Sequence, residues 1–212
     1  LTKTEDSPSN VFATFNPLYS GGAVYSNGNL TSTISLGSNK FGGVSTIGVS
    51  SGKWYAEFKA LSDTTNYIAV GIYGNPSLAS NNNEGVGKET DSIGYRSDGS
   101  KGIENTFSSY GASYTTNDII GVALDLDSGT KTITFYKNGA SQGAITISLT
   151  PDEGFWFLSA NSASASKSGI WSANFGNSYF GTTAVSSAGT NASGNGIFEY
   201  DVPTGYTALS TK

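Results

Sequence analysis

The side chains that could do chemistry in this 212-residue chain are carboxylates, amides, hydroxyls, lysines and tyrosines, because it contains neither histidine nor cysteine. A Ser-His-Asp relay, a Cys-His pair, an imidazole metal site and a zinc-thiolate site are therefore excluded within the chain. Catalysis would fall to carboxylates, lysine, tyrosine or a bound hard cation. Asp125 and Asp127, two residues apart, could lend oxygens to calcium. Asp127-Ser128-Gly129 is also the composition of a solvated turn, and that reading is preferred. Glu84, Glu89 and Asp91, with Asn81, Asn82 and Asn83, form a denser oxygen cluster. They lack the ordered ligand spacing of a calcium loop, so no metal and no cofactor is assigned. Paired carboxylates could cleave glycosides, but no local pair shares a strand face. Glu57 is the one acid inside a strongly patterned central strand, where a sheet carboxylate bonded to a neighbour is expected.

Binding chemistry is better supplied than catalytic chemistry. The chain carries 12 tyrosines and three tryptophans. Trp54 and Trp171 share parity with core residues and are expected to pack. Tyr73, Tyr110 and Tyr114 fall in or beside loops, where a flat apolar ring with a polar tip can stack on a sugar or anchor a protein contact. With Asn75, Asn81, Asn82, Asn83 and Arg96, they are expected to form a polar-aromatic binding surface.

The elements that must position these residues are strands. Asp118 to Leu149 spells a three-stranded meander. Ile120, Val122, Leu124 and Leu126 share one face; Ile133 and Phe135, then Ile145, Ile147 and Leu149, repeat the alternation. Its turns are Asp127-Ser128-Gly129 and Asn138-Gly139, the latter suited to a two-residue hairpin. Further strands are predicted over Leu30–Leu36, Trp54–Leu61, Tyr67–Tyr73, Ser92–Arg96, Gly154–Ala160 and Gly169–Phe175. Val11–Leu18, interrupted by Pro17, is at most an edge strand. Asn75–Glu89 and Gly102–Asn117 read as loops, Ser178–Asn195 is poor in apolar residues, and Ile197–Tyr206 closes the domain. Many short strands with 28 glycines point to an all-β, two-sheet antiparallel β-sandwich with little or no helix.

The formal net charge is −5, and the 11 lysines and arginines are scattered. A polyanion needs a basic surface, so nucleic acid is not expected as a partner. No apolar run approaches the roughly 20 residues of a membrane-spanning helix. Residues 1–10 read as a linker from a longer polypeptide and 11–212 as one domain, an expectation that fits the absence of methionine.

Six segments, in order, resemble the SPRY domain family: Gly52-Lys53-Trp54-Tyr55-Ala56-Glu57, Ala69-Val70-Gly71-Ile72, Ser92-Ile93-Gly94-Tyr95, Asp118 to Asp125, Thr134 to Gly139, and Asn174-Phe175-Gly176. The resemblance spans 52–176. It implies a bent, jelly-roll-type β-sandwich that binds partners through loops at one end, without catalysis. It also implies that the motif residues are mostly architectural. The flanks, Phe12 to Leu18, Ser26 to Leu30 and Phe198 to Leu209, are similar to the ends of such modules in large bacteriophage proteins. Together these imply a non-enzymatic recognition module of a tail fibre, spike or surface decoration on the virion. Its expected partner is a host-surface glycan, a host protein or another virion protein, and the parent protein could be oligomeric. The alternatives are a purely structural capsid or tail decoration and a carboxylate-dependent glycoside hydrolase.

Overall fold

The structure, a computed structural model, describes residues 7, 9–19, 22–35, 42–63, 67–75, 85–162 and 168–212. Sixteen strands occur among them: β1 Val24–Ser26, β2 Thr31–Ile34, β3 Gly43–Val49, β4 Lys53–Asp63, β5 Ile68–Tyr73, β6 Ser92–Arg96, β7 Ser100–Ile103, β8 Thr106–Ser109, β9 Ile119–Asp125, β10 Thr132–Lys137, β11 Ala140–Thr146, β12 Trp156–Ser162, β13 Gly169–Asn174, β14 Tyr179–Phe180, β15 Thr183–Ala184 and β16 Thr207–Ala208. The helical content of the described residues is a single 3-10 turn, Pro17–Tyr19.

The strands form two large sheets. Sheet A has the order β1-β2-β13-β4-β9-β10-β11, with β16 lying parallel to the start of β4; sheet B has the order β3-β12-β5-β6-β7-β8. This is the expected sandwich. Its core is the alternate set of residues from each strand. Phe58, Ile120, Val122, Leu124, Ile133, Phe135, Trp171 and Phe175 from sheet A meet Ile68, Val70, Ile72, Ile93, Tyr95, Trp156 and Leu158 from sheet B. Period-two burial dictates this: a one-residue slip would turn each set to the wrong face.

The meander folds as its pattern requires, with β9 paired to β10 and β10 to β11. Asn138 and Gly139 take φ of 49° and 81°, the left-handed pair that closes a hairpin of matching twist. Asn138 also bonds outward: its Oδ1 accepts the Ile119 N–H at 2.9 Å and its Nδ2 donates to Asp118 at 2.7 Å.

One expectation needs correcting, two strands were unforeseen, and one expectation is sharpened. Gly102–Asn117 is not simply loop: β7 and β8 form a hairpin through Glu104 and Asn105, both at positive φ. Its strands are Ser- and Gly-rich with weak alternation, which hid them. β1 and β3 were not anticipated either; β3 alternates small residues rather than large ones. Val11–Leu18 makes only isolated bridges, Phe12 to Ser210 and Phe15 to Ser45, before the 3-10 turn at Pro17. Leu36 lies outside the described residues.

Both outer faces are partly covered by the chain itself. Over sheet A runs the segment after β13. Phe198 packs edge-on against Tyr55 with ring centroids 5.0 Å apart, and the Ile197 carbonyl accepts from Asn174 Nδ2 at 2.9 Å. Glu57 fastens this strap. It is fully buried, and its two oxygens accept the backbone N–H groups of Glu199 at 2.8 Å and Tyr200 at 2.9 Å. Burial pushes the Glu57 carboxyl up to about 7 against those stabilising bonds. Over sheet B lies the segment around Val86, packed with Val44, Ala69 and Tyr73 in a second small apolar cluster. Gly94 and Gly102 make this possible. A Cβ on either would come within 2.5 Å of a carbonyl oxygen of Val86 or Gly87.

Candidate binding site

The residues proposed for binding divide between opposite ends of sheet B. Tyr73 closes β5 and is fully buried beneath the Val86 segment. It therefore offers no ring to a ligand, because outward-facing strand residues here are roofed by chain rather than by water. Asn75 is half-buried nearby and donates to Asp152 at 3.0 Å. Asp152 also pushes the Asp91 carboxyl up, after burial, which is the larger cause. Among the described residues, no group of three or more acids is arranged to hold a metal ion. Asn81, Asn82 and Asn83, with Glu84, lie outside the described residues. The six-residue span of β5, about 20 Å long, separates this end from the other candidates.

Tyr114 is also a core residue. Its hydroxyl lies 2.8 Å from the Tyr95 carbonyl and 3.2 Å from that of Ile68, and its ring packs against Tyr95 and Trp171. Complete burial drives its pKa well up. The expectation of an open loop tyrosine is thus corrected. A polar loop carries one apolar ring inward to seal the sandwich end. Tyr110 is half-buried, donates to the Gly143 carbonyl, and packs edge-on to Tyr95 and Phe135; burial lifts it to about 12. It bridges the β8–β9 loop to β11 rather than projecting to solvent.

Asp125 and Asp127 also find partners within the chain. Both oxygens of Asp125 are engaged, by the Asp127 and Ser128 N–H groups, the Ser128 hydroxyl and Lys53 at 2.8 Å. Partial burial alone would raise this carboxyl, but Lys53 and the turn donors hold it down at about 2. Asp127 accepts the Gly52 N–H at 2.6 Å.

Arg96 is the residue that stands out. It is the only arginine in the chain and ends β6 on the outer face of sheet B. Its guanidinium carbon lies 4.1 Å from the Tyr67 ring centroid and 4.5 Å from that of Phe107. Tyr67 comes from the entry to β5 and Phe107 from β8. Between them β7 contributes Gly102, paired with Phe107 in register. A Cβ there would sit 2.5 Å from Phe107 Cε1, so the missing side chain lets the Phe107 ring cross β7 towards Arg96. Stacked rings favour a desolvated guanidinium by about 2 kcal/mol. Arg96 is only 7% exposed, and its Nε and Nη2 are buried and meet no hydrogen-bond acceptor among the described residues. Such donors cost about 1–3 kcal/mol each when unmatched. Its sequence signal was weak: a lone cation after an aromatic strand, with Tyr67 and Phe107 marked only as a strand start and a loop aromatic.

Beside it the end loops enclose a polar cleft of about 330 Å³ lined by Ser97, Asp98, Ser113, Tyr114, Thr115, Asp118 and Lys137. Partial burial would raise the Asp118 carboxyl, but the Asn138 amide, the Thr115 N–H and Lys137 at 3.4 Å hold it below the usual range. Asp98 takes the Ser100 N–H and hydroxyl. The acids of the cleft are thus occupied by neighbours, and Arg96 is not.

β8 completes this end. All four of its residues are exposed, Phe107 at 36%, and it forms an edge of sheet B. Its outer backbone groups meet no other strand among the described residues. This describes an antiparallel sandwich with an exposed edge strand, β8, and a buried cation beside it.

Comparison with known proteins assigns the scaffold. Residues 53–170 match the family model described as the SPRY domain. The chain belongs to the SPRY domain family, generally a protein–protein interaction module. Among solved structures, it is similar to the SPRY domain of human HERC1, with a TM-score of 0.59 and 21% identity over 75% of this chain and 96% of that one. A human SPRY domain matches with a TM-score of 0.51 and 20% identity over 71% of this chain and 93% of that one. Stonustoxin matches with a TM-score of 0.55 and 18% identity over 77% of this chain, though only 27% of the toxin chain is covered. At these identities the likeness establishes a shared fold. The strap that Glu57 fastens lies beyond the matched residues.

Proposed function

We propose that this domain is a non-catalytic protein-recognition module that docks its partner on the outer face and open edge of sheet B, at the end carrying Tyr67, Arg96 and Phe107. The observation that carries the reading is the buried guanidinium with two unmatched donors beside an unpaired edge strand. A scaffold whose only task was packing would gain by matching or replacing that cation. On sheet A the strap lies over Tyr55 and Glu57, whereas β8 at the edge of sheet B is exposed along its whole length. A glycan is the weaker partner, since sugar stacking needs open rings and Tyr73 and Tyr114 are sealed. The virion setting rests on the likeness of the flanks to bacteriophage modules; a reading frame among tail or capsid genes supports it, and one among cellular genes overturns it.

The test of docking is a random-peptide selection on the immobilised domain, followed by hydrogen-exchange mapping of the winning peptide. Protection at Tyr67, Arg96 and Thr106–Ser109 supports the reading. Protection confined to the strap, or to the end around Asn75, overturns it.

A further inference from the structure

The two unmatched nitrogens of Arg96 are not an arbitrary pair. Nε–H and one N–H of Nη2 point the same way from the guanidinium edge and are spaced to meet the two oxygens of a carboxylate. Tyr67 and Phe107 cover its faces, at 4.1 Å and 4.5 Å. The rings fix the plane and shield both faces, so an acceptor can meet the guanidinium only at its edge, where the two nitrogens are buried. The acids nearby are not that acceptor. Asp98 is taken by Ser100, Asp118 by Asn138, Thr115 and Lys137, and Asp63 accepts the Tyr67 N–H at 3.2 Å. The remaining exposure of Arg96 lies outside its two buried nitrogens. A ligand must therefore open the covering around this guanidinium, and Phe107, on an exposed edge strand, is the ring that flanks it on the β8 side.

Resting on the docking surface above, we propose that Arg96 reads an acidic side chain of an extended partner segment that adds as a further strand to β8. Strand addition supplies affinity through backbone bonds along the edge. Alternate side chains of the added strand then fall on the Arg96 face, because strand side chains alternate. One carboxylate per docked segment would close the fork, and burial between two rings makes the requirement for it stringent. Charge complementarity favours an acidic segment over a neutral one.

The sole arginine makes the test unambiguous, because its Nε–H gives one resolved signal in a proton–nitrogen correlation spectrum. The probes are acetyl-Thr-Val-Glu-Val-Thr-amide and the same peptide with Gln for Glu, titrated into the full chain. The expected result is a downfield movement of the Arg96 Nε–H signal and shifts of the Thr106–Ser109 amides with the Glu peptide. The Gln peptide should bind at least tenfold more weakly. Arg96→Lys keeps the charge and loses the fork, so it should abolish the preference between the two peptides. Phe107→Ala, at an exposed position, gives a second variant in which Arg96 is uncovered on one side and the Glu peptide still binds in preference to the Gln one. Equal shifts of β8 by both peptides overturn the carboxylate assignment and leave the docking edge standing. Absence of shifts at β8 and Arg96 with either peptide overturns both the assignment and the edge. Movement of Arg96 alone, matched by acetate at the same concentration, also overturns strand addition.

Discussion

Replacing Glu57 by Gln should change how stability depends on pH as well as how large it is. The wild-type carboxyl is fully buried and is pushed up to about 7 from an ordinary 4.5. A raised acid contributes stability that is fully present below the unfolded value and lost as pH rises through the folded one. Between about pH 5.5 and about pH 8 that loss amounts to about 2 kcal/mol, at about 1.4 kcal/mol per pH unit over the part of the window covered. Glu57→Gln has no such proton to lose. Its amide oxygen can accept from Glu199 or Tyr200 but not both, and its NH2 faces the other N–H, costing about 1–3 kcal/mol. Urea unfolding of both proteins at the two pH values isolates the effect, because other titrating groups cancel in the difference. The wild type should be the more stable at the lower pH, and the gap should narrow by about 2 kcal/mol, or reverse, at the higher. Hydrogen exchange of amides 199 and 200 should rise in the variant at both. A gap that stays constant with pH would refute the claim that burial outweighs the two amide bonds at Glu57.

Gly102→Ala places a methyl within 2.5 Å of both Phe107 and the Gly87 carbonyl; it should cost about 1–3 kcal/mol in urea unfolding and raise the solvent accessibility of Phe107. Asn138→Ala removes the bonds to Ile119 and Asp118 at a left-handed position, and should cost about 1–2 kcal/mol while loosening the Lys137 side of the cleft. Asp125 is held down at about 2, so its contribution is present above the ordinary 3.8 and lost as pH falls towards 2. With Lys53 a third exposed, solvent screening limits this to about 1 kcal/mol. Asp125→Asn should flatten the acid limb of the unfolding profile by that amount.

What the chain reveals before folding follows from where burial leaves a periodic mark. β9 is buried along its whole length and β10 on alternate residues, and both carry alternating large apolar side chains flanked by turn chemistry, so Ile120 to Phe135 could be read residue by residue. β6 was legible to its boundaries. β7 and β8 were not, because Ser100-Lys101-Gly102-Ile103 and Thr106-Phe107-Ser108-Ser109 face water or a covering segment and keep no apolar parity. The tyrosines misled for a related reason. A tyrosine in a polar stretch looks exposed, yet Tyr114 turns inward and satisfies its hydroxyl on two carbonyls. Tyr73 is roofed by residues distant in sequence. Glu57 was read correctly as a bonded sheet carboxylate, but its partners, Glu199 and Tyr200, lie 142 and 143 residues away and leave no local trace. Arg96 was among the expected site residues. Its clamp was hidden, because it assembles from β5, β6 and β8 and depends on the absence of a side chain at Gly102.

The most direct test of recognition through Arg96 is the affinity of a library-selected peptide for the wild type and for Arg96→Lys, with each protein's fold checked by its near-ultraviolet spectrum. The forked guanidinium account predicts a loss of at least tenfold, about 1.4 kcal/mol, with the fold unchanged. Equal affinity for the two folded proteins would contradict it.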